Sequence, residues 1–281
     1  MPEIVAGGAP GQDIYGAEGF LSPVRVMAEA DAARLASKIA GIYAEHGAAA
    51  KGLLGSNAHF IFPELFDLVC SPAVLDHVEA VLGPDILCWS ASFFSKPAAD
   101  SSYVSWHQDL TYWGLEPADI VTAWIAVTPS TRESGCMRVV PGSHGQGQLS
   151  HSDTFAAANL LSRGQVLDVD VDENEAVDLV LQPGEMSLHH VLIVHGSEAN
   201  GSALPRHGFA IRYIPTYCKQ IGGRTTALLV RGEDRYNHFD PVPRPRADLH
   251  PDSLAFREKA NGAVKAILMA GANPTIEPEG E

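Results

Sequence analysis

Between about residues 85 and 230 the chain is a succession of short β-prone segments, and this succession limits the folds open to it. The segments are rich in β-branched and aromatic residues, and Gly, Pro, Ser or Asp bound each of them. They cover residues 86–94, 103–107, 121–127, 137–140, 177–181, 186–190 and 209–214. Many short strands in one stretch favour a β-sandwich or a barrel.

Helical patterns flank this β-rich core. Residues 28–46 are Ala-rich with apolar residues at helical spacing, and Pro72 begins a second helix that Gly83-Pro84 ends. Residues 254–270 predict a last helix, and residues 150–175 a polar, irregular insertion. Residues 1–14 look loose and 273–281 frayed. We therefore expect one domain over residues 1–281, with N-terminal helices at about 28–83, the core at about 85–230 and a C-terminal helix at about 254–270.

Charge and cysteine content narrow the partners and the compartment. The formal net charge of −15 disfavours nucleic acid and anionic membrane surfaces as partners and favours a small-molecule substrate. No apolar run of 18 residues is present, and the first residues lack the pattern of a signal peptide. None of the four cysteines is in a CxxC pair, so we expect reduced thiols in the cytoplasm. They are Cys70, Cys88, Cys136 and Cys218.

The central motif is His107-Gln108-Asp109. In a strand, residues two apart point to the same face, so His107 and Asp109 would project together into the core. One imidazole and one carboxylate make up two thirds of the metal site formed by two histidines and one carboxylate. A bare motif of this kind also arises often by chance.

Two residues further along the chain strengthen this interpretation. His195 is the candidate for the third ligand, and Arg206 follows eleven residues later. A 2-oxoglutarate enzyme needs a cation for the far carboxylate of the cosubstrate, and the planar fork of arginine binds a carboxylate through two hydrogen bonds. Arg212 is an alternative to Arg206, since it shares strand parity with it.

Six motifs resemble the phytanoyl-CoA dioxygenase family of 2-oxoglutarate oxygenases in order and in spacing. They are WHQDLTYW at 106–113, VTAWIAV at 121–127, SGCMRVVPGSH at 134–144, QPGEMSLHH at 182–190, HGSEAN at 195–200 and RHGFAIRYIP at 206–215. The resemblance covers roughly residues 85–216. It implies a mainly β protein with flanking α-helices around a double-stranded β-helix, the cupin-like jelly roll.

The resemblance also implies the roles of particular residues. It places Fe(II) on His107, Asp109 and His195. It places the far carboxylate of 2-oxoglutarate on Arg206 beside Ser197, with Trp124 lining the cosubstrate pocket. One further polar residue upstream is expected to complete that pocket. The candidates are Lys51, Asn57, His59 and Lys96.

The activity implied by the resemblance is hydroxylation of an unactivated C–H bond of a small metabolite, with O2 as the second cosubstrate and succinate and CO2 as products. Related halogenases carry a small residue where this chain has Asp109, so hydroxylation is expected over halogenation. Desaturation, epoxidation and cyclisation stay open, because they depend on how the substrate is placed.

Two other classes of function compete with this one. The same three side chains could hold Zn²⁺ and activate water for hydrolysis, which would make no use of Arg206 or Ser197. Alternatively, the chain could be a non-catalytic jelly roll that binds a metal or another ligand. His189 lies close to His195 in the chain, but a packed strand histidine is the more common case. Tyr112 and Trp113 could face the substrate or pack the loop on the core.

Overall fold

The computed structural model describes residues 12–272. The helices of this part are Gln12–Glu18 (α1), Glu29–His46 (α2), Ala50–Leu54 (α3), Pro63–Val69 (α4), Pro72–Leu82 (α5) and Pro251–Leu268 (α6). The strands are Phe20–Arg25 (β1), Ile86–Lys96 (β2), Val104–His107 (β3), Leu115–Glu116 (β4), Val121–Ala126 (β5), Met137–Val139 (β6), His151–Ser152 (β7), Val166–Leu167 (β8), Val177–Leu179 (β9), Glu185–His190 (β10), His195–Ser197 (β11), Arg206–Pro215 (β12), Lys219–Gln220 (β13), Thr226–Arg231 (β14) and Asp240–Pro241 (β15).

Two sheets form the core. The larger has the strand order β1-β10-β5-β12-β2-β14-β15, and the smaller has the order β3-β11-β6-β9. The long strand β12 pairs antiparallel with both β2 and β5, which places it at the centre of the larger sheet. The predicted class, mainly β with flanking helices around a jelly-roll core, is confirmed.

The larger sheet is covered by helices on one face. Along β5 and β12, alternate side chains such as Ile125, Phe209 and Ile211 join one apolar cluster with Ile39 of α2 and Val74 of α5. This alternation follows from the two-residue period of a strand. The helices α2 and α5 therefore form an outer layer on this face of the sheet.

The other face of the larger sheet packs against the smaller sheet. Trp124 of β5 and Ala210 of β12 lie in one buried cluster with Met137 and Val139 of β6. Because the side chains of a strand alternate, every second residue of β5, β10 and β12 points into the space between the two sheets. Polar residues at these positions therefore face a common interior.

Helix α2 forms where the sequence predicts it. Ala32, Leu35, Ile39 and Ile42 are buried, so the apolar stripe of this Ala-rich segment faces the sheet. Helix α6 begins at Pro251, three residues before the predicted start. The imidazole of His250 accepts a hydrogen bond from the backbone N–H of Asp252 and so caps the first turn.

Several elements differ from the prediction. Strand β1 joins the edge of the larger sheet although Pro23 lies inside it, and β14 extends that sheet beyond β2. The insertion at 150–175 is irregular as predicted, apart from a short ribbon of β7 and β8. The expectation of a loose start is wrong for residues 12–14, which belong to α1. Residues 1–11 and the tail predicted to fray at 273–281 lie outside the described residues.

Candidate active site

Three side chains converge between the two sheets. His107 is the last residue of β3, and His195 is the first residue of β11; the two strands pair antiparallel with these residues directly opposite one another. Asp109 follows two residues after β3. Each of the three offers one ligand atom, and these atoms lie within 4.8 Å of one another. The structure thus brings together the three residues that the sequence singled out.

The strand argument for Asp109 is wrong, although its consequence holds. Strand β3 ends at His107, and Asp109 begins a 3-10 turn that runs to Tyr112. Gln108, which is fully buried, fixes this turn. Its amide donates to the carbonyls of Gly147 and Leu192 at 2.9 and 2.7 Å, and its oxygen accepts from the backbone N–H of Leu149. The turn, rather than strand alternation, aims the carboxylate at His107.

The orientation of both imidazoles suits metal binding. Nδ1 of His107 lies 2.9 Å from the carbonyl oxygen of Ser105 and 3.0 Å from that of His195, and Nδ1 of His195 lies 3.0 Å from that of Ile193. A ring nitrogen that faces a carbonyl must donate a proton to it, so Nε2 of each ring keeps its lone pair for a ligand bond.

A cation is needed between His107 and Asp109. Nε2 of His107 lies 3.4 Å from a carboxylate oxygen of Asp109. Since Nδ1 of His107 already donates to carbonyls, both facing atoms are acceptors, and a proton or a metal ion must lie between them. This donor set of two imidazoles and one carboxylate fits a divalent transition-metal ion.

The protonation states also fit a metal site. Burial lowers the pKa of His195 to about 3, so its imidazole is neutral at physiological pH. Burial alone would raise the pKa of Asp109. The hydrogen bond with His107 and the surrounding positive charge outweigh burial and hold this pKa well below its usual value. Neutral imidazole and ionised carboxylate are the forms that bind a metal ion.

Arg206 lies at the start of β12 in the same cavity as the three converging side chains, together with Ser197 and Trp124. It is 2% exposed, and its guanidinium lies 5.3 Å from the Trp124 ring. One nitrogen donates to the carbonyl of Gly135, whereas Nε has no partner among the described residues. A buried guanidinium with free donors is suited to bind a carboxylate.

Lys96 stands out among the four upstream candidates. It lies directly opposite Arg206 in the pairing of β2 with β12, and its ammonium donates to the Ser197 hydroxyl at 2.7 Å. Burial, followed by the charge of Arg206, lowers the pKa of Lys96 to about 7. The ring of His59 is buried 3.8 Å from the Cys88 sulfur. Lys51 and Asn57 line neighbouring cavities.

Sequence reasoning missed Thr122 and set aside His189, and both are polar residues of this cavity. Thr122 lies two residues before Trp124 on β5, so strand alternation places both side chains on the cavity side. Its hydroxyl has no hydrogen-bond partner within the described part of the chain. His189 also lines the cavity, with Nε2 4.0 Å from Asp109. The strand period could have identified Thr122, because it shares parity with Trp124.

The two aromatic residues after the motif have different surroundings. Tyr112 lies under the guanidinium of Arg163 at 3.9 Å and donates to Asp153, so it packs against the insertion. Trp113 lies 5.2 Å from Trp89, and both rings line a second, larger cavity beside the cluster of His107, Asp109 and His195. Tyr112 is therefore a residue that packs the loop, whereas Trp113 lines a cavity.

Comparison with known proteins was consistent with this geometry. Human peroxisomal phytanoyl-CoA dioxygenase is 32% identical over 172 residues, which are 58% of this chain and 50% of the relative. A probable alpha-ketoglutarate-dependent hypophosphite dioxygenase of Stutzerimonas stutzeri is 30% identical over 159 residues, covering 56% and 55%. The matches thus span about half the length of these relatives. Among solved structures, the non-haem monooxygenase ThoJ in its apo form superposes with a TM-score of 0.82 at 32% identity, covering 92% of this chain and 97% of ThoJ.

Fold and site together define a jelly-roll protein with a buried cluster of two histidines and one carboxylate. Residues 17–208 match the family described as phytanoyl-CoA dioxygenase (PhyH). The chain belongs to that family, and the resemblance stated from the motifs is confirmed.

Proposed function

We propose that the protein is an Fe(II)- and 2-oxoglutarate-dependent dioxygenase that hydroxylates an unactivated C–H bond of a small organic molecule. The observation that carries the proposal is one cavity that holds the cluster of His107, Asp109 and His195 together with buried Arg206, whose Nε has no partner among the described residues. Neither zinc hydrolysis nor passive metal binding requires that arginine.

The three clustered residues would hold the metal ion, and 2-oxoglutarate and O2 would bind to the same ion. When bound, iron with 2-oxoglutarate supplies the oxidising chemistry: O2 and 2-oxoglutarate are consumed, the substrate gains one hydroxyl oxygen, and succinate and CO2 are released. The protein contributes orientation and exclusion of water. His107 and His195 are 2% and 6% exposed, which keeps the reacting centre away from bulk solvent.

Arg206, Ser197 and Trp124 would bind the far carboxylate of 2-oxoglutarate. Arg206 pairs with the carboxylate, the Ser197 hydroxyl donates to it, and the Trp124 ring closes the pocket. Lys96 is a positioning residue: its ammonium donates to the Ser197 hydroxyl and to the carbonyls of Ser197 and Glu198. The Ser197 hydroxyl is thereby left to donate its own proton to the ligand.

The relatives support the reaction class and differ in substrate. Two carry the name dioxygenase, one with phytanoyl-CoA and one with hypophosphite as the named substrate, and ThoJ carries the name non-haem monooxygenase. An acyl thioester and a phosphorus oxyanion share little beyond negative charge. The family therefore supports the reaction class, whereas the substrate has to be inferred from the cavity of this chain.

The test is succinate release from 2-oxoglutarate by the Fe(II)-loaded protein, with and without O2. We expect release that needs both Fe(II) and O2 and is abolished in His107→Ala and His195→Ala. Anaerobic Fe(II) binding should weaken in the same variants. Full succinate release in either variant contradicts the assigned ligands, and a Zn²⁺-dependent hydrolysis without O2 would support the hydrolase alternative.

The domain organisation, the partners and the compartment of the enzyme are also proposals. Contacts between α6 and the N-terminal region, such as Arg257 with the carbonyl of Gly52, support a single domain. No helix among residues 12–272 is long and apolar enough to cross a membrane. The acidic charge of −15 supports action on a small molecule, without nucleic-acid or membrane partners. The four free cysteines support a reducing compartment, the cytoplasm.

A further inference from the structure

A second cavity adjoins the proposed metal site. Its volume is about 580 Å³, within the range of pockets that hold small organic ligands. Phe94, Asp109 and Arg212 line both this cavity and the one that contains the metal cluster. A molecule in the second cavity would therefore have the metal centre at one end.

The walls of this second cavity combine aromatic and aliphatic side chains with polar ones. Trp89, Phe94 and Trp113 contribute aromatic rings, and the last turns of α6 contribute Val264 and Leu268. The polar residues include Gln165 and Asn57, and the buried side-chain oxygen of Asn57 has no partner among the described residues. Apolar surface for the body of a ligand, together with polar groups that fix its orientation, is what a site for an organic ligand requires.

Arg212 is the cation at the junction of the two cavities. It is 8% exposed, and its guanidinium lies 5.5 Å from the Phe94 ring and 5.7 Å from the Trp113 ring. One nitrogen donates to the Ser92 hydroxyl at 2.7 Å and to the carbonyl of Ala210 at 3.3 Å. Its Nε has no partner in residues 12–272, and no carboxylate there forms an ion pair with it.

A count of charges at the loaded centre leaves Arg212 without a counter-ion. The inference rests on the proposed function for this count. Fe(II) contributes two positive charges and Arg206 one, while Asp109 contributes one negative charge and 2-oxoglutarate two. These sum to zero, so the positive charge of Arg212, like that of the Lys96 ammonium beside Arg206, is left uncompensated. A buried unpaired charge is costly, and a ligand anion removes that cost.

We propose that Arg212 binds an anionic group of the primary substrate, and that the substrate is a small organic acid with an apolar body. The carboxylate or a similar anion pairs with Arg212, and the apolar body lies against Trp89, Trp113 and the C-terminal turns of α6. The C–H bond to be oxidised then lies close to the anionic group, because Arg212 lines the metal cavity itself.

One wall of this site lies in the part of the chain that the family match does not reach. The match ends at residue 208, whereas all of α6 comes after it. The residues of α6 that line the cavity are Asn261, Val264, Lys265 and Leu268. Substrate selection by this wall would let relatives with the same metal cluster act on chemically different molecules.

The test compares matched acids and amides as ligands of the Fe(II)- and 2-oxoglutarate-loaded protein under anaerobic conditions. The probes are hexanoate, phenylacetate and indole-3-acetate, each paired with its uncharged primary amide, and binding is measured by calorimetry. A charge-assisted pair with Arg212 should make at least one acid bind about tenfold or more tightly than its amide. Equal binding of acid and amide in all three pairs would overturn the proposal without any variant.

Variants then test whether Arg212 causes the preference for the acid over the amide. Arg212→Gln should remove the acid preference, and Arg212→Lys should retain part of it, with thermal denaturation as the check on folding. Lys259→Gln is the matched control, because this exposed cation lies on α6 but does not line the cavity and should leave the preference intact. Persistence of the preference in Arg212→Gln contradicts the assignment. So does an Arg212→Gln protein whose main defect is a raised KM for 2-oxoglutarate.

The same preparations separate this inference from the proposed function. Succinate release from 2-oxoglutarate without added acid tests the dioxygenase assignment alone. If that release is absent in the wild type while acids still bind through Arg212, the dioxygenase proposal fails and the acid site stands. If release is present and acids show no preference, only the acid site fails.

Discussion

At the scale of single residues, two arginines on one face of β12 have different surroundings. Arg206 lies beside Ser197 and Trp124 inside the metal cavity, whereas Arg212 also borders the larger cavity. Both have a free Nε. Because Arg206 and Arg212 point to the same face of the strand, the sequence allowed either to bind 2-oxoglutarate. The contact of Lys96 with Ser197 favours Arg206.

Arg206→Ala should raise the KM for 2-oxoglutarate by roughly 30-fold or more. The loss of a buried, charge-assisted contact made through two hydrogen bonds costs about 2–5 kcal/mol, which corresponds to at least that factor. Steady-state succinate release over a range of 2-oxoglutarate concentrations measures the effect. If Arg212→Ala produces it and Arg206→Ala does not, the assignment of the two arginines is reversed.

Asp109→Gly should open a coordination position at the metal and reduce hydroxylation strongly. The carboxylate offsets the charge of Fe(II) in a site from which water is excluded, and its removal leaves a position for an external anion. We expect weak chloride or azide binding when 2-oxoglutarate is present, measured by anaerobic spectroscopy of the iron. Wild-type turnover in Asp109→Gly contradicts its role as a ligand, and chlorinated product from the wild type contradicts the hydroxylase assignment.

How far the sequence predicted the site depends on the kind of contact. The convergence of His107, Asp109 and His195 could be predicted, because the motif and the family resemblance single out these residues. The buried bonds that aim these ligands could not, since the partners of Gln108 lie 39 to 84 residues away in the chain. Long-range contacts of this kind have no local sequence signal.

At the scale of elements, the pairing of β5 with β12 shapes the cosubstrate pocket. Gly208 lies under the ring of Trp124, and a Cβ atom at Gly208 would be 1.8 Å from Cζ2 of that ring. The lack of a side chain at Gly208 therefore lets Trp124 lie beside Arg206. Only glycine permits this close approach of ring and backbone.

Gly208→Ala should displace Trp124 and weaken 2-oxoglutarate binding. Overpacking of this kind costs about 1–3 kcal/mol of stability, and we expect a raised KM for 2-oxoglutarate together with a lower midpoint of urea unfolding. Gly41→Ala is the control: Gly41 lies in α2 with open space around it, so alanine there should leave KM unchanged and stability equal or higher. An unchanged KM in Gly208→Ala would contradict the role given to Trp124.

The strands and helices with strong local patterns were predicted well, and those defined by pairing were not. Helix α2 and strand β5 have clear periodicity and start within a residue of their predicted positions. Strand β1 contains Pro23, which reads as a turn, and it forms because β10 offers an edge to pair with. Because β1 forms through its pairing with β10, its local sequence propensity could not predict it.

At the scale of the whole molecule, α6 joins the C-terminal end of the described chain to its N-terminal region. Arg257 is buried and donates to the carbonyls of Ser56 and Gly52 at 2.8 and 2.7 Å, while Asn261 accepts from Asn57. These bonds hold α6 as one wall of the larger cavity. Under the proposed role of this cavity, substrate binding depends on the docking of α6.

Arg257→Ala should lower the free energy of unfolding by about 1.5–3 kcal/mol, because the hydrogen bonds of a buried charged group to two carbonyls are lost. Urea denaturation followed by circular dichroism measures the change. Arg246→Ala is the control, since Arg246 is exposed and such surface changes stay within about 0.5 kcal/mol. If the two variants lose the same stability, α6 is not held by Arg257.

The most direct test of the account is a crystal structure of the protein grown anaerobically with Fe(II) and 2-oxoglutarate. We predict iron bound by His107, Asp109 and His195, with 2-oxoglutarate completing the coordination and its far carboxylate paired with Arg206 beside Ser197. Iron bound elsewhere, or 2-oxoglutarate absent from the iron, would contradict the central claim. A far carboxylate paired with Arg212 instead would contradict the division of roles between the two arginines.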